Sequence, residues 1–150
     1  MAELNPIHLY TDGSCHNGGD KSGGWAWVVL KPVGGTEKAS GQCQNTTNNR
    51  MEQMALIDGL ASIWGRFGPS KVVVHSDSRY VIGGCENRHW KRNVNKDLWS
   101  ILDDIIDLHD NVEFVHVKGH SGNKYNEQAD DLAGMARKGK CLESTWKNGR

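Results

Sequence analysis

The 150-residue chain carries no net charge, because its eighteen basic side chains are matched by eighteen acidic ones. No global field therefore draws it to a polyanionic partner. Its four cysteines, Cys15, Cys43, Cys85 and Cys141, include no CxxC pair, which argues against a thiolate zinc site. No apolar run is long enough to cross a bilayer or to serve as a secretory signal. There is no internal repeat and no linker. What remains is one domain over residues 1–150, with free thiols expected in a reducing cytoplasm and no membrane partner.

The charge is uneven along the chain. From Arg137 to Arg150 five basic residues face only Glu143, and Arg88 to Lys96 adds four basic residues and no acid. Either run could be solvated surface or a set of phosphate contacts.

In order, Ile7, Leu9 and Thr11 alternate with His8, Tyr10 and Asp12, a strand ending at Asp12. A Gly- and Asn-rich loop from Cys15 to Gly24 leads to an apolar strand from Trp25 to Leu30. After a turn at Pro32 to Gly35, a more polar strand runs from about Glu37 to Gln44. An amphipathic helix follows, with Leu56, Leu60, Ile63 and Phe67 as its stripe and Gly68-Pro69 as its stop. The β-branched run Lys71 to Asp77 reads as a central strand buried on both faces. A short helix from about Ser78 to Gly83, a basic segment around Trp90, and a helix with Leu98, Ile101, Leu102, Ile105 and Leu108 as its stripe come next. Val112 to Val117 is a fifth strand. The last helix, from about Tyr125 to Arg137, sets Tyr125, Ala129, Leu132 and Ala136 against the sheet. This order makes an α/β fold layered on one mixed sheet, with a core over about residues 6–138 and a flexible basic tail over 139–150.

Four acids fall at element edges: Asp12, Glu52, Asp77 and Asp130. Asp12, Glu52 and Asp77 each have an ordinary reading, Asp12 as part of an Asp-Gly turn. With Asn49 as N-cap, Glu52 would close a capping box at the third helical position, and Asp77 would cap the short helix. Spacing alone does not choose between Asp130 and Asp131. Hard cations such as Mg²⁺ or Mn²⁺ favour carboxylate ligands, and two such ions about 4 Å apart are the economical use for four converging acids.

The motifs Tyr10-Thr11-Asp12-Gly13-Ser14-Cys15, Thr47-Asn48-Asn49-Arg50-Met51-Glu52, Asp77-Ser78-Arg79-Tyr80-Val81, Asp97-Leu98-Trp99, and Val117-Lys118-Gly119-His120-Ser121-Gly122 with Asn126-Glu127 and Asp130-Asp131-Leu132-Ala133, resemble type 1 ribonuclease H. The likeness is collinear from about Ile7 to Ala136. It implies a three-layer fold with a five-stranded mixed sheet, three strands antiparallel and two parallel. It further implies a metal-dependent endoribonuclease that hydrolyses the RNA strand of an RNA–DNA hybrid and leaves 5′-phosphate and 3′-hydroxyl ends. By the same resemblance Asp12, Glu52, Asp77 and Asp130 are the catalytic carboxylates holding two Mg²⁺ ions, with Mn²⁺ as a substitute. His120 matches the loop histidine that shuttles protons or helps product leave, work suited to an imidazole of pKa about 6.5.

For substrate, the resemblance assigns Cys15, Asn17, Asn48 and Asn49 to the minor groove, where a 2′-hydroxyl distinguishes RNA from DNA, and Thr47 to a DNA phosphate. Taken singly, these are common turn and cap residues. Only Arg79 to Lys96 separates the third and fourth motifs, so the basic handle of bacterial members is reduced to a remnant around Trp90, Lys91 and Arg92. The basic tail after Arg137 is expected to make up part of that loss by touching backbone phosphates. An independent monomeric enzyme without an obligate protein partner is the expectation; the alternatives are a hybrid-binding module that does not cut and a DNA-acting nuclease on the same fold.

Overall fold

The computed structural model of the chain describes residues 5–16, 21–90, 92–119 and 122–145. Asn17, Lys91 and His120, and the tail from Trp146 to Arg150, lie outside the described residues. The elements in order are β1 (Ile7–Cys15), β2 (Gly23–Leu30), β3 (Thr36–Cys43), α1 (Asn48–Phe67), β4 (Lys71–Ser76), α2 (Arg79–Glu86), α3 (Lys96–Leu108), β5 (Asn111–His116) and α4 (Lys124–Arg137). The strands form one mixed sheet in the order β3-β2-β1-β4-β5. β1, β2 and β3 pair antiparallel, while β4 runs parallel to both β1 and β5.

Period-two alternation sorts the core into two sides. Leu9, Trp27, Val29, Val72 and Val74 meet Leu56, Leu60, Ile63, Trp99 and Leu102 in the main cluster. On the other face Tyr10 and Val28 meet Ala129, with Tyr125 and Leu132 at the margin. That second face is covered by α4, which packs across β2, β1 and β3. β4 lies beyond its reach, so the expectation of burial on both faces fails: Val72 and Val74 are buried but Val73 and His75 are half-buried.

The two helix starts also differ from expectation. Thr47, not Asn49, caps α1, its Oγ1 accepting from Arg50 N at 3.2 Å. Thr47, Asn48 and Asn49 can all cap, so the sequence did not single one out. Moving the cap by two residues takes Glu52 out of the capping box and into the second turn. Likewise Ser78, not Asp77, caps α2 by accepting from Val81 N at 3.1 Å. Both acids are thereby released from the cap roles that would have explained them.

α3 is rotated from its expected stripe. Leu98, Trp99 and Leu102 are buried, whereas Ile101 and Leu108 are 47% and 49% exposed. Trp99 turns inward because Gly84 leaves room: a Cβ there would meet the indole ring at 2.2 Å. Arg50 then joins the starts of α1 and α3, its guanidinium donating twice to Asp97 at 3.0 and 2.8 Å and once to Asn95 Oδ1 at 3.1 Å.

The basic segment between α2 and α3 is a staple and not a loose handle. Arg92 is stacked on Trp99, pairs with both Asp103 oxygens at 2.7 and 2.8 Å, and donates to Gly84 O. Arg88 pairs with Asp107 at 2.6 Å and lies 3.3 Å from Asp103. The tail is ordered as well, contrary to expectation, as far as it is described. Ser40 N donates to Leu142 O at 2.9 Å, Leu142 N to Ser40 Oγ at 2.8 Å, and Lys38 N to Thr145 Oγ1 at 3.1 Å. It therefore runs along the outer edge of β3, antiparallel to it, toward the end of the sheet where β1 begins.

One glycine sets how closely α1 approaches β1. A Cβ on Gly13 would lie 2.4 Å from the backbone of Met51 and Glu52. We expect Gly13→Ala to force these two backbones apart and cost about 1–3 kcal/mol, read as a lower urea midpoint with an unchanged slope.

Candidate active site

The parallel register of β1 and β4 pairs Tyr10 with His75. Continued two residues, it sets Asp12 beside Asp77 on one face of the sheet. Asp12 is not at the end of its strand, as the sequence suggested, but inside it, opposite Ala26 of β2. Its neighbour on β2 keeps the backbone in place, so the carboxyl is fixed at 7% exposure. Glu52 descends from α1 through the gap Gly13 leaves, itself only 9% exposed. One carboxylate oxygen from each of Asp12, Glu52 and Asp77 lies within 4.8 Å of the others.

The fourth acid reaches the group from the opposite layer. α4 is capped by Asn123, which accepts from Tyr125 N at 3.1 Å and Asn126 N at 2.9 Å. It packs so tightly on β2 that a Cβ on Gly24 would meet Ala133 O at 2.2 Å. This seat brings Asp130 into hydrogen-bond contact with Asp12, while Asp131 faces solvent. The loop after β5 arrives from a third side. Val117 N donates to Ser76 O at 2.9 Å, and a Cβ on Gly119 would lie 3.3 Å from Asp77 Oδ2. The residue preceding His120 thus rests against the carboxylates.

Beside the acids, a cleft of about 420 Å³ is lined by Cys15, His16 and Lys21 on one wall and Thr46, Thr47, Asn48 and Asn49 on the other. Cys15 N donates to Asn48 Oδ1 at 2.6 Å, tying the end of β1 to the start of α1. Four of the residues named for substrate, Cys15, Thr47, Asn48 and Asn49, therefore share one concave surface. His16 and Lys21 belong to it too and were missed, since neither stands in a motif. A more apolar cavity of about 410 Å³, lined in part by Ile7, Pro32, Phe67 and Pro69, lies at the other end of the sheet, away from every acid of the cluster.

A ribonuclease H family model matches residues 5–138. The chain belongs to the ribonuclease H family. It is 44% identical over 142 residues to the ribonuclease H of Neisseria meningitidis serogroup C, spanning 85% of this chain and 92% of that protein. The crystal structure of RNase H1 from the halophilic archaeon Halobacterium salinarum superposes with a TM-score of 0.75 at 25% identity, over 89% of this chain and 98% of that one. LC11-RNase H1, solved in complex with an RNA/DNA hybrid, superposes with a TM-score of 0.75 at 24% identity, over 89% and 97%.

Members of this family depend on metal, and the donor set here fits a hard divalent cation. All the candidate ligands are carboxylates. Glu52 Oε1 is buried without a hydrogen-bond partner among the described residues. None of Asp12, Glu52 and Asp77 pairs with a Lys or Arg among those residues. Burial first, then the hydrogen bond to Asp130 and the charge of Asp77, pushes Asp12 up to about 8. Burial again, followed by the charges of Asp12 and Asp77, raises Glu52 well above the usual carboxylate range. Without a cation the cluster holds protons at neutral pH.

Asp12 is about 3.9 when unfolded and about 8 when folded, so the native state binds the proton more tightly. Its contribution to stability is complete below about pH 4 and is lost as pH rises through 8. In chelator, the melting temperature should fall between pH 5 and pH 9. Asp12→Asn should flatten that fall and melt about 3 °C or more above the parent at pH 9; Mg²⁺ should stabilise the parent more than the variant.

Proposed function

We infer that the chain hydrolyses the RNA strand of RNA–DNA hybrids as an endoribonuclease, leaving 5′-phosphate and 3′-hydroxyl ends. The observation that carries this reading is three unneutralised carboxylates, from β1, α1 and β4, within 4.8 Å of one another at the mouth of a polar cleft. Asp12, Glu52, Asp77 and Asp130 would hold two Mg²⁺ ions, with Mn²⁺ able to replace them. When bound, such ions supply Lewis acidity and a nucleophilic water at neutral pH.

The chain's own residues do the positioning. Thr47, exposed at the head of α1, offers its amide and hydroxyl to a DNA phosphate, with the helix N-terminus adding favourable polarity. Cys15, Asn48 and Asn49, together with Asn17, present short donors and acceptors to the wide minor groove, where the 2′-hydroxyl distinguishes one strand from the other. The Cys15 to Asn48 hydrogen bond holds the two sides of that reader at a fixed separation. His120 would carry a proton at the leaving 3′-oxygen, its loop placed against Asp77 by Gly119. The reading takes residues 1–150 as a single catalytic domain, acting as a monomer in the cytoplasm; among the described residues no helix is long and apolar enough to cross a membrane.

The test is cleavage of end-labelled hybrid beside matched double-stranded RNA and double-stranded DNA, with Mg²⁺, Mn²⁺ or chelator. Loss of the hybrid's RNA strand alone, dependent on the ion and reduced roughly 10³-fold or more in Asp12→Asn, is the expected result. Binding of hybrid without cutting in either ion would replace the enzyme with a binding module, and cutting of double-stranded DNA would replace it with a DNA-acting nuclease.

A further inference from the structure

We propose that Arg137 and Lys138, with His16, form a second phosphate subsite that grips the hybrid's backbone on the β3 side of the carboxylates. This rests on the reading of the substrate given above. A cavity of about 300 Å³ is lined by His16, Ser22, Gln42, Arg137 and Lys138. His16 also lines the cleft that holds Thr47, Asn48 and Asn49, so the two concavities are neighbours across that residue. Among the described residues, no acid lines either one.

The cations in this cavity are uncommitted among the described residues, whereas the arginines near α3 are not. Arg50 is held by Asp97, Arg88 by Asp107 and Asp103, and Arg92 by Asp103. The arginines of the shortened segment on the β4 side are therefore neutralised by α3 and cannot serve as a grip. Arg137 and Lys138 make no ion pair among the described residues, and Arg137 Nε is buried there with no hydrogen-bond partner. The position of Arg137 is fixed through its main chain: Ser22 Oγ donates to its carbonyl at 3.2 Å and Gln42 Nε2 at 3.0 Å.

A basic residue in the last turn of a helix is often no more than a complement to the helix dipole. That accounts for Arg137 as the last residue of α4. It does not account for a buried, unpartnered Nε, for Lys138 beyond the helix end, or for His16 and Lys21 arriving from the β1–β2 connection. Among the described residues the tail beyond Lys140 does not compete for the role, because residues 142–145 run along β3 away from the carboxylates. A guanidinium and an ammonium converging on one concavity suit a phosphodiester anion.

The experiment compares the parent with Arg137→Gln, Lys138→Gln and the double variant, using a defined hybrid over a range of KCl. The double variant should raise KM about 5–10-fold near 0.1 M salt, leave kcat within about two-fold, and lower the slope of log affinity against log salt by about 1, one phosphate contact. Lys71→Gln, which removes one exposed charge at the far end of β4, should change neither. If Arg137→Gln lowers the melting temperature, the exposed Lys138→Gln and Lys138→Glu decide, the reversal being the worse of the two. A single uncharged methylphosphonate walked along each strand should find one position at which parent and double variant bind alike.

Unchanged KM and salt slope in an enzyme that cuts hybrid would overturn the subsite, as would a methylphosphonate scan with no such position. Failure of the parent to cut any hybrid would instead overturn the substrate reading, so the two are separable.

Discussion

Crowding of like charges in a poorly solvated place is the constraint on which the rest of this structure turns. Three carboxylates within 4.8 Å, two of them almost fully buried, repel one another and lose hydration together. The fold tolerates this at neutral pH by retaining protons, which is why Asp12 sits near 8. A divalent cation would remove the same penalty without protons. The strands and helices around the cluster can be understood as the means of holding the acids together against their repulsion. Asp12 and Asp77 are fixed by sheet register, Glu52 by the contact at Gly13, and Asp130 by the seat of α4 on Gly24.

Much of that scaffold was legible in the sequence. Alternation and β-branched runs located all five strands, and Gly68-Pro69 located the C-terminal end of α1. The acids were visible because each stood where an acid needed an explanation. Convergence was not visible, since neither register nor helix depth is encoded locally. Asp12 and Asp77 become neighbours through a pairing of strands whose partners stand 65 residues apart in sequence, and nothing near either residue announces it. The cap of α1 failed for a more local reason: three consecutive residues compete for one role at Thr47 to Asn49, and Asn48 is engaged by Cys15 N instead. The stripe on α3 failed because Trp99 and Gly84 fit each other, a match of volumes that a periodicity cannot express.

The basic residues carry a related lesson. The run from Arg88 to Lys96, with four positive side chains, reads as a surface offered to phosphate, yet Arg88 and Arg92 are turned back onto Asp103 and Asp107 of the next helix. Counting charges along a chain cannot distinguish a cation facing solvent from one that closes a helical corner. Pairing has to be known first. Once it is, the distribution of positive charge around the cleft is different from what the sequence suggests, and heavier on the side where β3 and α4 end.

The strand formed by residues 36–43 has polar composition and would otherwise be an open sheet border. Its outward amides at Lys38 and Ser40 are taken up by Thr145 and Leu142 of the same chain. An open border of this kind is a template on which another molecule can add a strand, the first step toward ordered aggregation. Here residues 142–145 of the same chain cover that border. Resistance to edge-to-edge association is thus assigned to Leu142 and Thr145, residues placed on the β3 border and not among the carboxylates.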